Sequence, residues 1–141
     1  MSQPNCTIRL TFFQIPEPTF AYHCTSCSQG WHVHSDGSIH PPSRSRHIEI
    51  DLVGFPAHAS FAGFQLVSDP QNFPAETQPW FVEPGLDVSF PLSLPLPGGS
   101  TTLAFDLTSP GQTLFYRLAV LPENSAIVRW DDPKIYNEPD Q

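Results

Sequence analysis

A chain of 141 residues is long enough for a two-layer core, and its 39% hydrophobic content, including 11 phenylalanines, excludes disorder for want of apolar surface. Its 17 prolines, spread along the chain, exclude long helices and restrict strands to positions where a missing N–H is tolerated. A net charge of -8 with only six Lys and Arg leaves no basic patch for phosphates, which excludes nucleic acid and anionic membranes as partners.

Thr7 to Phe13 opens with alternation, Ile8, Leu10 and Phe12 on one face and Thr7, Arg9 and Thr11 on the other, and Pro16 and Pro18 end that strand. A short segment at 20–23 leads to Cys24-Thr-Ser-Cys27. Asp36-Gly37 between Trp31–His34 and Ser38–His40 is a hairpin signal. His47 to Val53 repeats the half-buried pattern. Phe61 to Val67 is a further strand, in which Gly63 marks a bulge or a close backbone approach.

The stretch from Asp69 to Pro79 reads as a long irregular connection, of the kind that is often functional or mobile. Two short strands, 80–82 and 86–90, precede a proline-rich linker to Gly98-Gly99. Ser100 to Asp132 is the most strongly patterned block: two strands flank a Pro110-Gly111 turn, and a third follows Pro122-Glu123-Asn124-Ser125. Segments 113–121 and 126–130 are apolar on both faces, so a second cover is expected, from residues 132–139 folding back or from another subunit.

These signals predict an all-β, single-domain antiparallel β-sandwich over residues 1–141, immunoglobulin-like or jelly-roll, with 131–141 as a surface tail. The N-terminus lacks the basic flank and apolar stretch of a secretory signal, and no run reaches the roughly 18 apolar residues of a membrane span. Three cysteines, an odd number, fit a disulfide framework poorly. A cytoplasmic protein with free thiols is therefore expected.

The ending Arg129-Trp130-Asp131-Asp132-Pro133-Lys134-Ile135-Tyr136-Asn137-Glu138-Pro139 resembles the signature of the small bacterial DP-EP family, with Asp132-Pro133 followed by Glu138-Pro139. The resemblance implies a compact bacterial β-sandwich without an assigned activity. The same ending is more loosely similar to bacterial inclusion-body sandwich proteins, which would imply self-assembly. The local chemistry of Asp132-Pro133 by itself is that of a turn.

Soft metal ligands cluster at His23, Cys24, Cys27, His32 and His34. Cys24-x2-Cys27 followed by four residues and His32 matches the first three ligands of a zinc knuckle, but Gly37 stands where the fourth would be. His34 can substitute, since residues 32 and 34 share one side of a strand. The candidate metal set is thus Cys24, Cys27, His32 and His34, with zinc as the cofactor. Cys6 reads as a buried strand residue outside it. A two-residue turn at Asp36-Gly37 places His40 on the face opposite His32 and His34, and a one-residue slip reverses that. Redox use of the Cys-x2-Cys pair is disfavoured, because the thioredoxin motif sits in a βαβ context absent here.

No Gly-x-Ser-x-Gly elbow or phosphate-binding glycine loop is present, so no catalytic residues are assigned and the chain is not expected to be an enzyme. Two functional readings compete: a non-enzymatic interaction or self-assembly module forming a homo-oligomer, and a zinc-binding protein using the Cys/His cluster.

Overall fold

Alternating inward and outward side chains, cut by proline, build two β-sheets packed face to face. The computed structural model describes residues 5–41, 46–91, 94–107, 114–131 and 134–135. Among these, twelve strands occur in chain order: β1 (Asn5–Phe13), β2 (Thr19–Cys27), β3 (His32–Val33), β4 (Ile39–His40), β5 (Arg46–Phe55), β6 (Ala59–Val67), β7 (Trp80–Val82), β8 (Val88–Ser89), β9 (Thr102–Leu107), β10 (Leu114–Pro122), β11 (Arg129–Asp131) and β12 (Lys134–Ile135). One sheet runs β2-β1-β5-β9-β8; the other runs β3-β4-β12-β10-β6-β7, with β11 also on β10. Most pairs are antiparallel, but β1–β5, β12–β4 and β6–β7 are parallel. The all-β sandwich follows from the sequence pattern. The Pro110-Gly111 turn lies outside the described residues.

The core fills the space between the sheets. Ile8, Leu10 and Phe12 of β1, Ile48 and Ile50 of β5, and Leu103, Phe105 and Leu107 of β9 face Phe64 and Leu66 of β6 and Leu114, Tyr116 and Leu118 of β10. Phe64 joins the layers, its ring centroid 5.5 Å from Phe105 of the opposite sheet and 5.9 Å from Tyr116 of its own. Each such buried aromatic contributes roughly 1.5–3 kcal/mol relative to exposure.

Residues 61, 64 and 66 cannot all face one way on a regular strand. A register shift opposite Ala119/Val120, where Val120 pairs with Phe61 and Ala119 with Gly63, inserts Ala62 as an extra residue and turns Phe61 inward with Phe64 and Leu66. Gly63 is also a close approach: a Cβ there would lie 2.8 Å from the Pro79 carbonyl oxygen.

The connection 69–79 is not a loose loop. Parallel β6 and β7 need a crossover between them, and this segment supplies it by folding over the outer face of β6 and β10. Gln65, fully buried, donates to the carbonyls of Ala75 and Gln78, and Arg117 donates to Gln65 Oε1 and the Pro74 carbonyl. The Arg117 guanidinium lies between the rings of Phe73 and Trp130, 4.8 and 5.1 Å from their centroids. Ala119, on the same face, has no exposure. Within the described residues this strap and Trp130 cover the outer face around Gln65, Arg117 and Ala119, whereas Ile127 and Val128 of the second segment stay 56% and 40% exposed. The segment expected as a surface tail begins inside the sheet: Asp131 ends β11, and β12 pairs with both β10 and β4.

Candidate metal centre

The three cysteines converge on the β1–β2 hairpin. Positions 24 and 27 are an odd number apart and would point to opposite faces of a regular strand. In β2 they do not, because Thr7 pairs with Ser26 and Ile8 with Cys24, which leaves Thr25 as an extra residue. This bulge puts Cys24 and Cys27 on the face of Ile8 and Cys6, with Cys27 directly opposite Cys6. The Thr25 hydroxyl donates to the Thr7 carbonyl at 3.1 Å and so fastens the bulge.

Exposure is graded across the cluster: Cys6, between β2 and β5, is fully buried, Cys27 half-buried and Cys24 exposed on the edge strand. The three sulfurs lie within 4.8 Å of one another. Cys27 is within bonding reach of both Cys6 and Cys24. One sulfur forms one disulfide, so the three cannot all be paired at once and at least one remains a thiol or thiolate. In the reduced state, three sulfurs gathered on one hairpin match the donor preference of zinc and other thiophilic ions.

The sequence predicts a metal set of Cys24, Cys27, His32 and His34. Among the described residues, the group of three or more donors brought within this distance is instead Cys6, Cys24 and Cys27. Cys6 is indeed a buried strand residue, but it also belongs to the cluster. His23 pairs with Arg9 on the outer face of the sheet. His32 and His34 belong to the β3–β4 hairpin, where His34 N–H donates to the Ser38 carbonyl and Gly37 N–H to the His34 carbonyl. This is a three-residue turn with Gly37 at φ +95°, not the expected two-residue one.

That difference shifts the register. His32 pairs with His40 and Val33 with Ile39, so His40 shares a face with the other two histidines rather than opposing them. The His34 and His40 rings stand 5.1 Å apart and, with Ser35, Asp36 and Ser38, line an open depression of about 370 Å³. The backbone N–H of Ser38, donating to Asp36, holds that carboxyl below its ordinary range.

A second polar cluster lies on the outer face of the five-stranded sheet. His47 Nδ1 is 2.5 Å from Asp106 and its Nε2 is 3.0 Å from Glu49. Burial lowers the imidazole pKa, but the bonds to Glu49 and Asp106 outweigh it and the net shift is upward. Because carboxylates engage both ring nitrogens, neither is free to take a proton from a substrate.

Sequence reasoning missed Cys6 because its partnership depends on strand pairing. The one available signal was its place on the inward alternation of Cys6, Ile8, Leu10 and Phe12. No family model and no curated protein matches this chain. Of the residues that resemble the DP-EP signature, Asp132, Pro133 and 136–139 lie outside the described residues. Among the described residues, no helix is long and apolar enough to cross a membrane.

Proposed function

We propose that this protein is a non-enzymatic metal-binding module that holds a thiophilic ion, zinc in the first instance, on Cys6, Cys24 and Cys27. The observation that carries the reading is the convergence of three sulfurs from two strands, brought about by the bulge at Thr25. Three thiolates provide three of the four positions of tetrahedral zinc, and the exposed side of Cys24 leaves the fourth for water or a partner's ligand. A cytoplasmic location is part of the proposal, since thiols stay reduced there, and so is the DP-EP resemblance of the C-terminus. The test is the zinc content of protein purified without chelator under reducing conditions. Stoichiometric zinc that disappears when Cys24 and Cys27 are replaced by Ser supports the reading, and metal-free protein that takes up none at neutral pH removes it.

A second reading, the interaction or self-assembly module, is favoured by a different observation. Ile15, Val53 and Phe55 are 61%, 45% and 56% exposed, and the Phe55 ring packs edge-on against Phe13 at 6.2 Å. Val53, Phe55 and Phe13 lie at one end of β1 and β5, where Thr11 pairs with Val53 and Phe13 with Phe55. Contiguous exposed apolar residues of this kind mark contact surfaces, and the occupant this reading commits to is a second copy of the chain. Sedimentation at micromolar concentration tests it: a dimer that dissociates in Phe55→Ser supports it, and a strict monomer removes it.

A further inference from the structure

The graded exposure of the three cysteines gives the cluster a direction. A reagent dissolved in water reaches Cys24, which is exposed on the edge strand, and does not reach Cys6, which has no exposed surface. Cys27 stands between them, within bonding reach of each and half-buried. A pair of cysteines binds a metal or forms a disulfide. Three, with the middle one shared, can also pass a disulfide inward.

We propose that the cluster is an oxidative relay that empties the metal centre, with Cys24 as the entry point for a low-molecular-weight disulfide, Cys27 as the resolving residue and Cys6 as the acceptor. This inference rests on the metal reading for its consequence, release of the ion, but not for its chemistry.

In the first step the Cys24 thiolate attacks one sulfur of the dissolved disulfide RSSR. The reagent's S–S bond breaks, a Cys24–SR bond forms and one thiolate RS⁻ leaves. Next the Cys27 thiolate attacks the Cys24 sulfur, forming the Cys24–Cys27 disulfide and expelling the second RS⁻. Two protein thiolates have then lost two electrons in total, and RSSR has gained them as two thiolates. With two of three donors gone, the ion loses its site. In the last step Cys6 attacks the Cys27 sulfur and the Cys24 thiolate leaves, an exchange without net oxidation. Access to dissolved thiols favours persistence of its product, because the Cys6–Cys27 bond is shielded whereas Cys24–Cys27 lies at the surface.

The experiment uses the full chain, fully reduced, in a zinc-loaded and a metal-free arm. Each receives one equivalent of 2,2′-dipyridyl disulfide. Samples are alkylated at intervals and mapped by peptide mass spectrometry, while a chromogenic chelator follows zinc and absorbance follows the released thiopyridone. The expected sequence in wild type is a transient adduct on Cys24, then Cys24–Cys27, then Cys6–Cys27 with Cys24 alkylated. Two thiopyridones per chain should appear, and one zinc ion should leave per disulfide.

Cys27→Ser should hold the adduct on Cys24 and release one thiopyridone only, and Cys6→Ala should stop at Cys24–Cys27. Circular dichroism confirms that each variant is folded, and the wild-type map stands if one is not. A first adduct on Cys6 or Cys27, or a Cys24 adduct that persists in wild type, overturns the relay. Failure of the reduced protein to take up zinc removes the metal reading instead, and the metal-free arm then judges the relay alone.

Discussion

Tyr22 and Asp131 tie the two sheets together: the phenol of Tyr22, on the edge strand of one, donates to Asp131 Oδ2 at the end of β11 in the other, at 2.8 Å. Burial, then the nearby Tyr116 and Asp131, raise the Tyr22 pKa well above its ordinary value, so the phenol remains a donor at any pH where the protein is studied. Tyr116, wholly buried, makes a link within the second sheet by donating to the Gly37 carbonyl at 2.8 Å, which fixes the histidine hairpin against the core. Tyr22→Phe keeps the ring and removes only the donor. It should cost about 1–2 kcal/mol in urea unfolding without a change in the slope against denaturant. A loss within error would mean that Asp131 is satisfied without Tyr22.

The strap over β6 and β10 is anchored by Arg117 together with Gln65. Arg117→Met should retain much of the stacking between Phe73 and Trp130 but delete the donors to Gln65 and the Pro74 carbonyl. The expected loss is about 1–3 kcal/mol, because buried acceptors are left unpaired. Hydrogen exchange should show where it falls: amides of the strap, including Asn72 and Gln78, should lose protection well before those of β10. Uniform loss across both sheets would show that the strap and the sheets unfold as one unit.

His47 gives a pH signature with a definite sign. Its folded pKa is raised above the reference value of 6.5, with Glu49 and Asp106 favouring the imidazolium over the cost of burial. A raised folded pKa contributes stability that is complete below the unfolded pKa and is lost as pH rises through the folded value. The stability difference between wild type and His47→Gln should therefore be largest near pH 5.5 and shrink above about pH 6.5, modestly because all three groups are partly exposed. Denaturation midpoints across pH 5.5–8.5 check this, and a difference that grows with pH would contradict it.

The sandwich was legible because alternation is a local signal. Ile8, Leu10 and Phe12, or Leu103, Phe105 and Leu107, announce a buried face whatever strand lies beside them. The centre was only half legible. Cys24 and Cys27 were visible as a pair, but the bulge at Thr25 that turns them to one face depends on pairing with β1, as does the recruitment of Cys6 from 18 positions before Cys24. His40 differs from expectation through one residue of turn length: a three-residue loop at 35–37 in place of two moves it to the face of His32 and His34. In the sequence the strap looks like a loop, because its anchors, Gln65 and Arg117, are polar residues whose burial depends on what folds over them.

Cys6 as the third sulfur distinguishes this centre from a Cys/His site. Cobalt(II) added to fully reduced protein reports it directly, since each thiolate on the ion adds to the sulfur-to-metal charge-transfer absorption. Wild type should bind one ion per chain. Cys6→Ala should lose about one third of the charge-transfer intensity per bound ion, or binding altogether, as expected when one of three thiolates is removed. A variant carrying both His32→Ala and His34→Ala should bind as wild type does. The opposite pattern, with Cys6→Ala unchanged and the histidine variant impaired, would contradict the three-cysteine centre.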